Sequence, residues 1–394
     1  MPQVCHSREA SQKSGGHHSK KLRGSCSMII QPGDSPPRVA LCLYGEARQF
    51  ELTGLSLKNY VLDVLPDAHV FLHAPLDRDS YKLEILRSAK SRFAKARLFT
   101  PARIPETNVL REVVGAEGSS HGLQGLLHFF RLIEGCGDLV TEYERKHEFL
   151  YDWIIKVRLD SYWTDPIPTK YERGVYTIPF GNNCGGVNDK LGVGDRATAM
   201  ATGLKLSILP ALHAQGDRNL WPEALFESHL ELQRILAVPT NFSFCLIDHR
   251  KWPWPPKGWH LSVPSISSKG PLNGAYCRPC NPKVSSLERS SAIVESLCKR
   301  SGWFPTDGME KLELCDASSL EWERGWEALF DSAAGQEAAK TREKFASSKQ
   351  LQGDCVLQAS LFQKRWEIWD GPSPQQVCSV KSGNPWPKSS PTSS

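Results

Sequence analysis

Arg158 and Asp160 follow an apolar run near the middle of the chain, and the two residue types together suggest ligand binding. The run, residues 151–160, predicts a buried strand that carries both side chains at its carboxyl end. In an open α/β sheet, ligands bind in the crevice beyond the carboxyl ends of the strands. A guanidinium group binds phosphate or carboxylate, and a carboxylate accepts hydrogen bonds from hydroxyl groups or binds a divalent cation. The pair therefore predicts a site for an anionic ligand, with a purely structural ion pair as the alternative.

A turn after the first apolar run offers a second group of candidates. Gly45, Glu46 and Arg48 follow the run 38–44. Glycine lets the backbone approach a ligand closely, and Arg48 can bind an anionic group. The same residues are also typical of an ordinary turn with surface charges.

Two further segments carry polar candidates. Asn188, Asp189 and Gly192 lie in a Gly- and Asn-rich stretch that predicts a loop. Gln124 and His128 are four residues apart in a predicted helix, so they share one helical face. That face lines a cleft or faces water, and the amphipathic pattern around it favours water.

The elements that must position these residues alternate between apolar runs and helix-like segments. The predicted strands are 38–44, 68–73, 96–100, 151–160, 174–179 and 241–247. The predicted helices are 50–65, 81–95, 123–147, 201–214 and 223–236, with a break or kink in the third at Gly135 and Gly137. Alternation of strands and helices predicts an α/β fold with a mostly parallel sheet flanked by helices.

Changes in composition divide the chain into four parts. Residues 1–37 predict a disordered basic tail, 38–250 an α/β domain, 251–380 a Pro/Trp linker with a smaller Cys- and Trp-containing region, and 381–394 a disordered tail. Up to Arg38 there are six Lys and Arg against two acids, so the remainder, with 42 against 41, is nearly neutral. This balance predicts no nucleic-acid binding. The absence of a long apolar stretch predicts a chain that is soluble on this sequence.

The motifs together resemble those of nucleotide-sugar-dependent glycosyltransferases with the GT-A fold. They are the strand ending in Arg158-Leu159-Asp160, the segment Gly185–Gly194 that begins Gly-Gly-Val-Asn-Asp, and a glutamate-bearing helix. The sequence is most similar to a plant family of uncharacterised glycosyltransferase-like proteins, which share the opening Leu41–Arg48. The resemblance covers about residues 38–250 and the region around Cys277 and Cys280. It implies a Rossmann-like GT-A fold and transfer of a sugar from a nucleotide-sugar donor to a carbohydrate or other hydroxyl acceptor.

The resemblance also implies roles for single residues. The implied donor-binding residues are Gly45, Glu46, Arg48, Gln124, Arg158, Asp160, Asn188 and Gly192. Asp189 is expected to be the catalytic base that deprotonates the acceptor hydroxyl, with Glu223 and Glu227 as alternatives. Many such enzymes bind Mn²⁺ or Mg²⁺ through Asp-x-Asp, and Asp160 would be the metal ligand here. Ser161 and Tyr162 follow Asp160, so the second carboxylate is absent and metal dependence is not favoured. A non-catalytic binding or scaffold protein that keeps the fold is the alternative.

Cys277, Cys280, Cys298 and Cys315 admit three interpretations. A zinc site requires four ligands, disulfides require an oxidising compartment, and free thiols require neither. The lack of a signal segment in this sequence favours zinc, whereas a Golgi-lumen enzyme with an N-terminal anchor preceding this sequence favours disulfides. The sequence leaves these two open.

Asn241-Phe242-Ser243 is a glycosylation sequon. It falls in a predicted strand, where an attached glycan would disturb the pairing. The sequence therefore predicts that the sequon is incidental.

Overall fold

The computed structural model describes residues 36–116, 119, 122–183, 185–247, 262–282, 313–316, 321–346 and 354–380. The predicted N-terminal tail up to residue 35, the Pro/Trp linker around Trp252 to Trp259, Cys298 and the predicted C-terminal tail lie outside the described residues.

Strands and helices alternate along most of the chain. The strands are β1 (Val39–Tyr44), β2 (His69–Pro75), β3 (Arg92–Phe99), β4 (Trp153–Arg158), β5 (Ser161–Trp163), β6 (Val175–Pro179), β7 (Leu191–Asp195), β8 (Leu236–Thr240), β9 (Phe244–Ile247), β10 (Ser262–Pro264), β11 (Ala275–Cys277), β12 (Leu314–Asp316) and β13 (Ile368–Asp370). The α-helices are α1 (Phe50–Leu57), α2 (Asn108–Val113), α3 (Gly122–His147), α4 (Arg196–Gly203), α5 (Leu209–Gln215), α6 (Pro222–Leu232), α7 (Trp326–Ala334), α8 (Gln336–Ala346), α9 (Cys355–Gln363) and α10 (Pro374–Ser379).

Eight strands form the central sheet, in the order β13-β3-β2-β1-β4-β7-β6-β8. Neighbouring strands from β13 to β4 are all parallel, which confirms the prediction of a mostly parallel sheet flanked by helices. β7 runs antiparallel to both β4 and β6. After β1 the chain adds β2 and then β3 on one side, and later places β4 on the other side of β1. The strand order therefore reverses between β1 and β4.

Burial on both faces explains why the parallel strands read as continuous apolar runs. Ala40 to Leu43 of β1 have no exposed surface, and neither have Ile154 and Val157 of β4. One face of the sheet packs against α1 and the π-helical turn Lys58–Leu62, and the other packs against α3 and α4. Because both layers are closed, ligands can reach the sheet only at its ends.

Helix α3 is continuous, so the predicted break at Gly135 and Gly137 is wrong. A Cβ atom at Gly135 would lie 2.1 Å from the ring of His73 on β2, so glycine is required there for close packing of the helix on the sheet. A Cβ atom at Gly137 would lie 3.5 Å from Met200, an ordinary contact. The helix tolerates both glycines because its buried face is held by the sheet.

The segment Leu191–Asp195 is a strand, so the prediction of a ligand-facing loop at its glycines is wrong. A Cβ atom at Gly192 would lie 1.9 Å from the hydroxyl oxygen of Tyr176 on β6, and one at Gly194 would lie 2.4 Å from Thr198. These glycines therefore admit neighbouring side chains on one face of β7.

Other helix predictions also differ from the structure, and the predicted helix 201–214 is divided into α4 and α5. Residues 81–95 were expected to be helical, but a 3₁₀ helix, Ser80–Ser88, ends before β3 begins at Arg92. The charged residues of β3 resemble a helix surface in sequence, whereas in the structure Phe93 and Leu98 are buried in the sheet. The predicted helix 223–236 ends at Leu232, because the chain turns into β8.

The C-terminal residues that the structure describes pack directly on the central sheet and its helices. β13 pairs with β3, and Phe330 of α7 is buried in a cluster that includes Leu52 of α1. A three-stranded sheet, β11-β9-β5, borders the carboxyl end of β4. Within the described residues, no helix is long and apolar enough to cross a bilayer.

Four disulfides are present among the described residues. They join Cys42 to Cys136, Cys245 to Cys277, Cys280 to Cys315 and Cys355 to Cys378. The first joins β1 to α3, and the second joins β9 to β11. Such bonds form and persist in oxidising environments.

Candidate functional site

The chain leaves β1 beside the carboxyl end of β4, at the place where the strand order reverses. Tyr44 is paired with Arg158, and the amide of Leu159 donates a hydrogen bond to the Tyr44 carbonyl oxygen over 3.0 Å. Gly45 follows with φ of 124°, a backbone conformation that other residues rarely adopt. The chain therefore turns sharply at Gly45, where the carboxyl ends of β1 and β4 lie side by side; the place beyond these strand ends is called the crevice below.

Arg158 and Asp160 form a bidentate ion pair at this crevice. Arg158 Nε lies 2.8 Å from Asp160 Oδ1, and Arg158 Nη2 lies 2.6 Å from Asp160 Oδ2. Their side chains are 17% and 29% exposed. Burial acts to lower the pKa of Arg158, but the adjacent Asp160 carboxylate outweighs it and holds the pKa well above its usual value. The guanidinium also lies 5.5 Å from the centre of the Phe129 ring.

Tyr44 connects this pair to the second acidic residue of the site. Its side chain is buried, and its hydroxyl feels the charges of Arg158, Asp189 and Asp160. Burial raises the pKa of Tyr44 far above its usual value, so the phenol stays neutral. The charges of the Arg158–Asp160 pair and of Asp189 therefore both act on this buried hydroxyl group.

Asp189 faces a buried lysine that the sequence did not reveal. Asp189 Oδ2 lies 3.9 Å from Lys205 Nζ, and their side chains are 4% and 3% exposed. Neither atom has a hydrogen-bond partner within the described part of the chain. Lys205 Nζ also lies 3.3 Å from the centre of the Phe226 ring. Burial lowers the pKa of Lys205 to about 8, although Asp189 and Glu223 act in the opposite direction.

Lys190 and Asn188 hold the segment before β7 in place. Lys190 Nζ lies 3.0 Å from Glu223 Oε1 at the start of α6 and donates to the Asn182 carbonyl oxygen over 3.2 Å. Asn188 Nδ2 donates to the Gly181 carbonyl oxygen over 2.8 Å, and Asn188 is fully buried. The structure therefore gives Asn188 a role in shaping the loop, while Glu223 lies at the edge of the site.

Lys156 adds a second buried cation on the same face of β4 as Arg158. Its Nζ donates to the Ala199 carbonyl oxygen over 2.6 Å, and the residue is 3% exposed. Burial, with a smaller contribution from the charge of Lys205, lowers the pKa of Lys156 to about 7. A single lysine inside an apolar strand is the sequence signal that identifies this residue.

The remaining candidates lie at the rim or support the structure. Arg48 is 54% exposed and pairs with Glu46 over 2.9 Å. Gln124 is fully buried, where its Nε2 donates to the Ile104 carbonyl oxygen over 2.7 Å and its Oε1 accepts from the Ile104 amide over 3.1 Å. Glu227 is exposed on α6. Gln124 thus fixes the loop after β3, and Arg48 presents its guanidinium group to solvent.

Comparison with known families gives one match. Residues 34–384 match a family described as a domain of unknown function, DUF7796. The chain belongs to the DUF7796 family. No curated protein matches the sequence.

This DUF7796 protein offers no evident metal centre in the described ranges. No group of three or more His, Cys, Asp or Glu side chains there is arranged to hold a metal ion. Both carboxylate oxygens of Asp160 are bonded to Arg158, so a cation at Asp160 would have to displace a guanidinium group. Cys277, Cys280 and Cys315 form disulfides in the structure, which removes their thiolates as zinc ligands.

The DUF7796 site combines basic and acidic side chains. Three pairs form among them, namely Arg158 with Asp160, Lys190 with Glu223 and Lys205 with Asp189. Lys156 is a fourth basic residue, and its lowered pKa leaves it only partly charged near pH 7. Arginine and lysine suit phosphate groups, and carboxylates suit the hydroxyl groups of ribose or sugar. Of these residues, the sequence identified only Arg158 and the three acids.

Proposed function

We propose that this DUF7796 protein binds a nucleotide-sugar at the carboxyl ends of β1 and β4 and transfers its sugar to a hydroxyl acceptor. The fold would then be of the GT-A type, as the sequence motifs imply. The proposal has Arg158 bind the diphosphate, with Arg48 at the rim as a second contact. It has Asp160 and Glu46 accept hydrogen bonds from ribose or sugar hydroxyl groups.

The observation that carries this proposal is the position of the Arg158–Asp160 pair. In open α/β sheets, ligands bind where the strand order reverses, and β1 and β4 flank that position. Both side chains keep some exposed surface there, 17% and 29%. They also share the buried Tyr44 with Asp189. The proposal therefore rests on a cation and a carboxylate at the end of β4, with Asp189 near enough to influence the same tyrosine.

Asp189 is the proposed general base for an inverting transfer. In that reaction the base takes the proton of the acceptor hydroxyl while the nucleoside diphosphate leaves. Asp189 Oδ2 is buried and lacks a hydrogen-bond partner among the described residues, so a substrate hydroxyl that displaced the covering atoms would find a hydrogen-bond acceptor there. Lys205 Nζ lies 3.9 Å from this carboxylate oxygen.

Binding without catalysis is the second candidate, and the geometry of Asp160 favours it. The metal chemistry of an Asp-x-Asp motif needs carboxylate oxygens that are available to a cation, whereas both oxygens of Asp160 are on Arg158. A protein that has replaced a metal by a guanidinium group would still bind a diphosphate-linked sugar. The two candidates differ in turnover and share the binding site.

The proposed compartment is an oxidising lumen of the secretory pathway. The four disulfides support this proposal, because reducing compartments keep thiols free. Nucleotide-sugars and hydroxyl acceptors meet in such a lumen.

Thermal stabilisation by a panel of nucleoside diphosphates and nucleotide-sugars tests the proposal. A ligand that binds only the folded state stabilises it and so raises the melting temperature. At a ligand concentration of one hundred times the dissociation constant, the free energy of unfolding rises by about 2.7 kcal/mol. We expect stabilisation without added Mn²⁺, and loss of it in Arg158→Met. If no compound of the panel raises the melting temperature of the protein, with or without added metal, the proposal is overturned.

Donor hydrolysis then separates the two candidates. Asp189→Asn should retain binding and lose turnover if the protein is an enzyme. If the wild-type protein binds the nucleotide-sugar but neither hydrolyses it nor transfers its sugar to any of a panel of carbohydrate acceptors, the non-catalytic candidate is supported.

A further inference from the structure

The sequon Asn241-Phe242-Ser243 lies outside the strands, contrary to the prediction that it forms part of one. β8 ends at Thr240 and β9 begins at Phe244, so the sequon forms the connection between them. Asn241 is exposed, whereas Phe242 is 1% exposed. A glycan on Asn241 would therefore project into solvent without disturbing either strand. The sequence has no other Asn-x-Ser or Asn-x-Thr motif with x other than proline.

The amide of Asn241 is oriented for modification. Asn273 Nδ2 donates a hydrogen bond to Asn241 Oδ1 over 3.2 Å. Asn273 is itself fully buried and accepts a hydrogen bond from the Phe242 amide over 2.7 Å. The oxygen of the Asn241 side chain is therefore the atom that the fold uses. In the described part of the structure, the Nδ2 atom donates no hydrogen bond.

The remaining sequon residues are compatible with the same role. The carbonyl oxygen of Ser243 accepts a hydrogen bond from the Thr164 amide over 2.9 Å, so the backbone fixes the connection. Among the described contacts, the Ser243 hydroxyl holds no part of the fold. The hydroxyl is thus available for the recognition that the motif requires.

The disulfides supply the second, independent observation. They support the proposed oxidising compartment, and the attachment of glycans to Asn-x-Ser motifs is a property of secreted and lumenal proteins. We propose that Asn241 carries an N-linked glycan. This inference is independent of the proposed sugar transfer by the protein itself.

The attachment is a group transfer from a lipid-linked oligosaccharide pyrophosphate. A bond forms between Asn241 Nδ2 and the anomeric carbon of the first sugar, while the bond between that carbon and the phosphate oxygen breaks. The nitrogen loses one proton, and the lipid pyrophosphate leaves with the electron pair. No oxidation or reduction takes place.

Expression of the full chain in eukaryotic cells, directed to the endoplasmic reticulum by a supplied signal sequence, tests the inference. We expect one glycan that peptide N-glycosidase removes, with conversion of Asn241 to aspartate in the released peptide. Asn241→Gln and Ser243→Ala should each abolish it. Ser243→Thr should retain it, and so should the control Asn59→Gln, which changes another exposed asparagine.

Loss of the glycan is tested with both Asn241→Gln and Ser243→Ala, so that misfolding of one variant does not decide the result. Ser243→Ala leaves Asn241 and its hydrogen bond in place. Oxidised thiols and an unchanged circular dichroism spectrum establish that each variant is folded. A folded, disulfide-bonded wild-type protein that carries no glycan on Asn241 would overturn the inference, as would a glycan that persists in Ser243→Ala.

Discussion

Asp160→Asn removes one partner of the Arg158–Asp160 pair while keeping nearly the same shape. Breaking a fully buried ion pair costs about 3 to 5 kcal/mol, since the remaining charge is left without a counterion. The side chains here are 17% and 29% exposed, so water solvates part of the lone guanidinium group. We therefore expect the free energy of unfolding to fall by about 2 to 3 kcal/mol at pH 7.

A double-mutant cycle with Arg158→Met isolates the pair from other effects. The free energies of unfolding are measured by urea denaturation with the disulfides intact. The coupling energy between the two positions should be about 2 kcal/mol, which is in the range found for residues in direct contact. Asp67→Ala is the control, because Asp67 and Arg92 form an exposed pair, 86% and 69% exposed and 3.8 Å apart. That control should change stability by less than about 0.5 kcal/mol.

A coupling energy near zero, with the control behaving as expected, would refute the geometry of the site. It would mean that Arg158 and Asp160 do not meet at the carboxyl end of β4. The proposal of a shared ligand crevice would then lose its main observation.

Three further outcomes follow from the packing, the buried lysines and the disulfides. Gly135→Ala should destabilise the protein by about 1 to 3 kcal/mol through overpacking against His73, whereas Gly137→Ala should stabilise it by up to about 1 kcal/mol, as measured by urea denaturation. Lys156 has a pKa of about 7 in the folded protein, against an ordinary value of 10.5. Between pH 7 and pH 10.5 the unfolded state therefore binds more protons than the folded state, so stability rises with pH over this window. The variant Lys156→Met should show a smaller rise when melting temperatures are measured over a series of pH values. Replacing both cysteines of the Cys245–Cys277 bond by serine should cost about 3 kcal/mol, read as a lower melting temperature, because the bond closes a loop with a sequence separation of 32 residues.

Each of these outcomes has a contrary result. Equal effects of the two glycine substitutions would contradict the close contact at His73. Lys340 is exposed, so Lys340→Met is the control for Lys156→Met. If the stability of both variants depends on pH as that of the wild type does, the result contradicts burial of the Lys156 charge. Melting that is insensitive to the cysteine replacements would mean that the bond is not formed.

The parallel half of the sheet was predictable because its strands are buried on both faces. β1, β2 and β4 each appear as an apolar run, and their alternation with helices indicates the layers. β7 was missed because Gly192 and Gly194 are typical of loops in sequence. Its glycines are explained only by Tyr176 and Thr198, which contact it from other elements.

The site was predictable in part, and the limit has a physical reason. Arg158, Asp160 and Asp189 are polar residues next to apolar runs, which is a local signal. Lys205 is brought to Asp189 by the fold, so sequence separation hides the contact. The pairing of Cys42 with Cys136 is likewise a property of how α3 packs on β1, and no spacing rule assigns it.

The central claim is that a diphosphate-linked sugar binds where β1 and β4 diverge. The most direct test is a crystal structure of the protein soaked with the nucleoside diphosphate that stabilises it most. The account predicts diphosphate density against the Arg158 guanidinium and the turn at Gly45, with ribose hydroxyl groups near Asp160. Density at any other surface, or an empty crevice at saturating ligand, would contradict it.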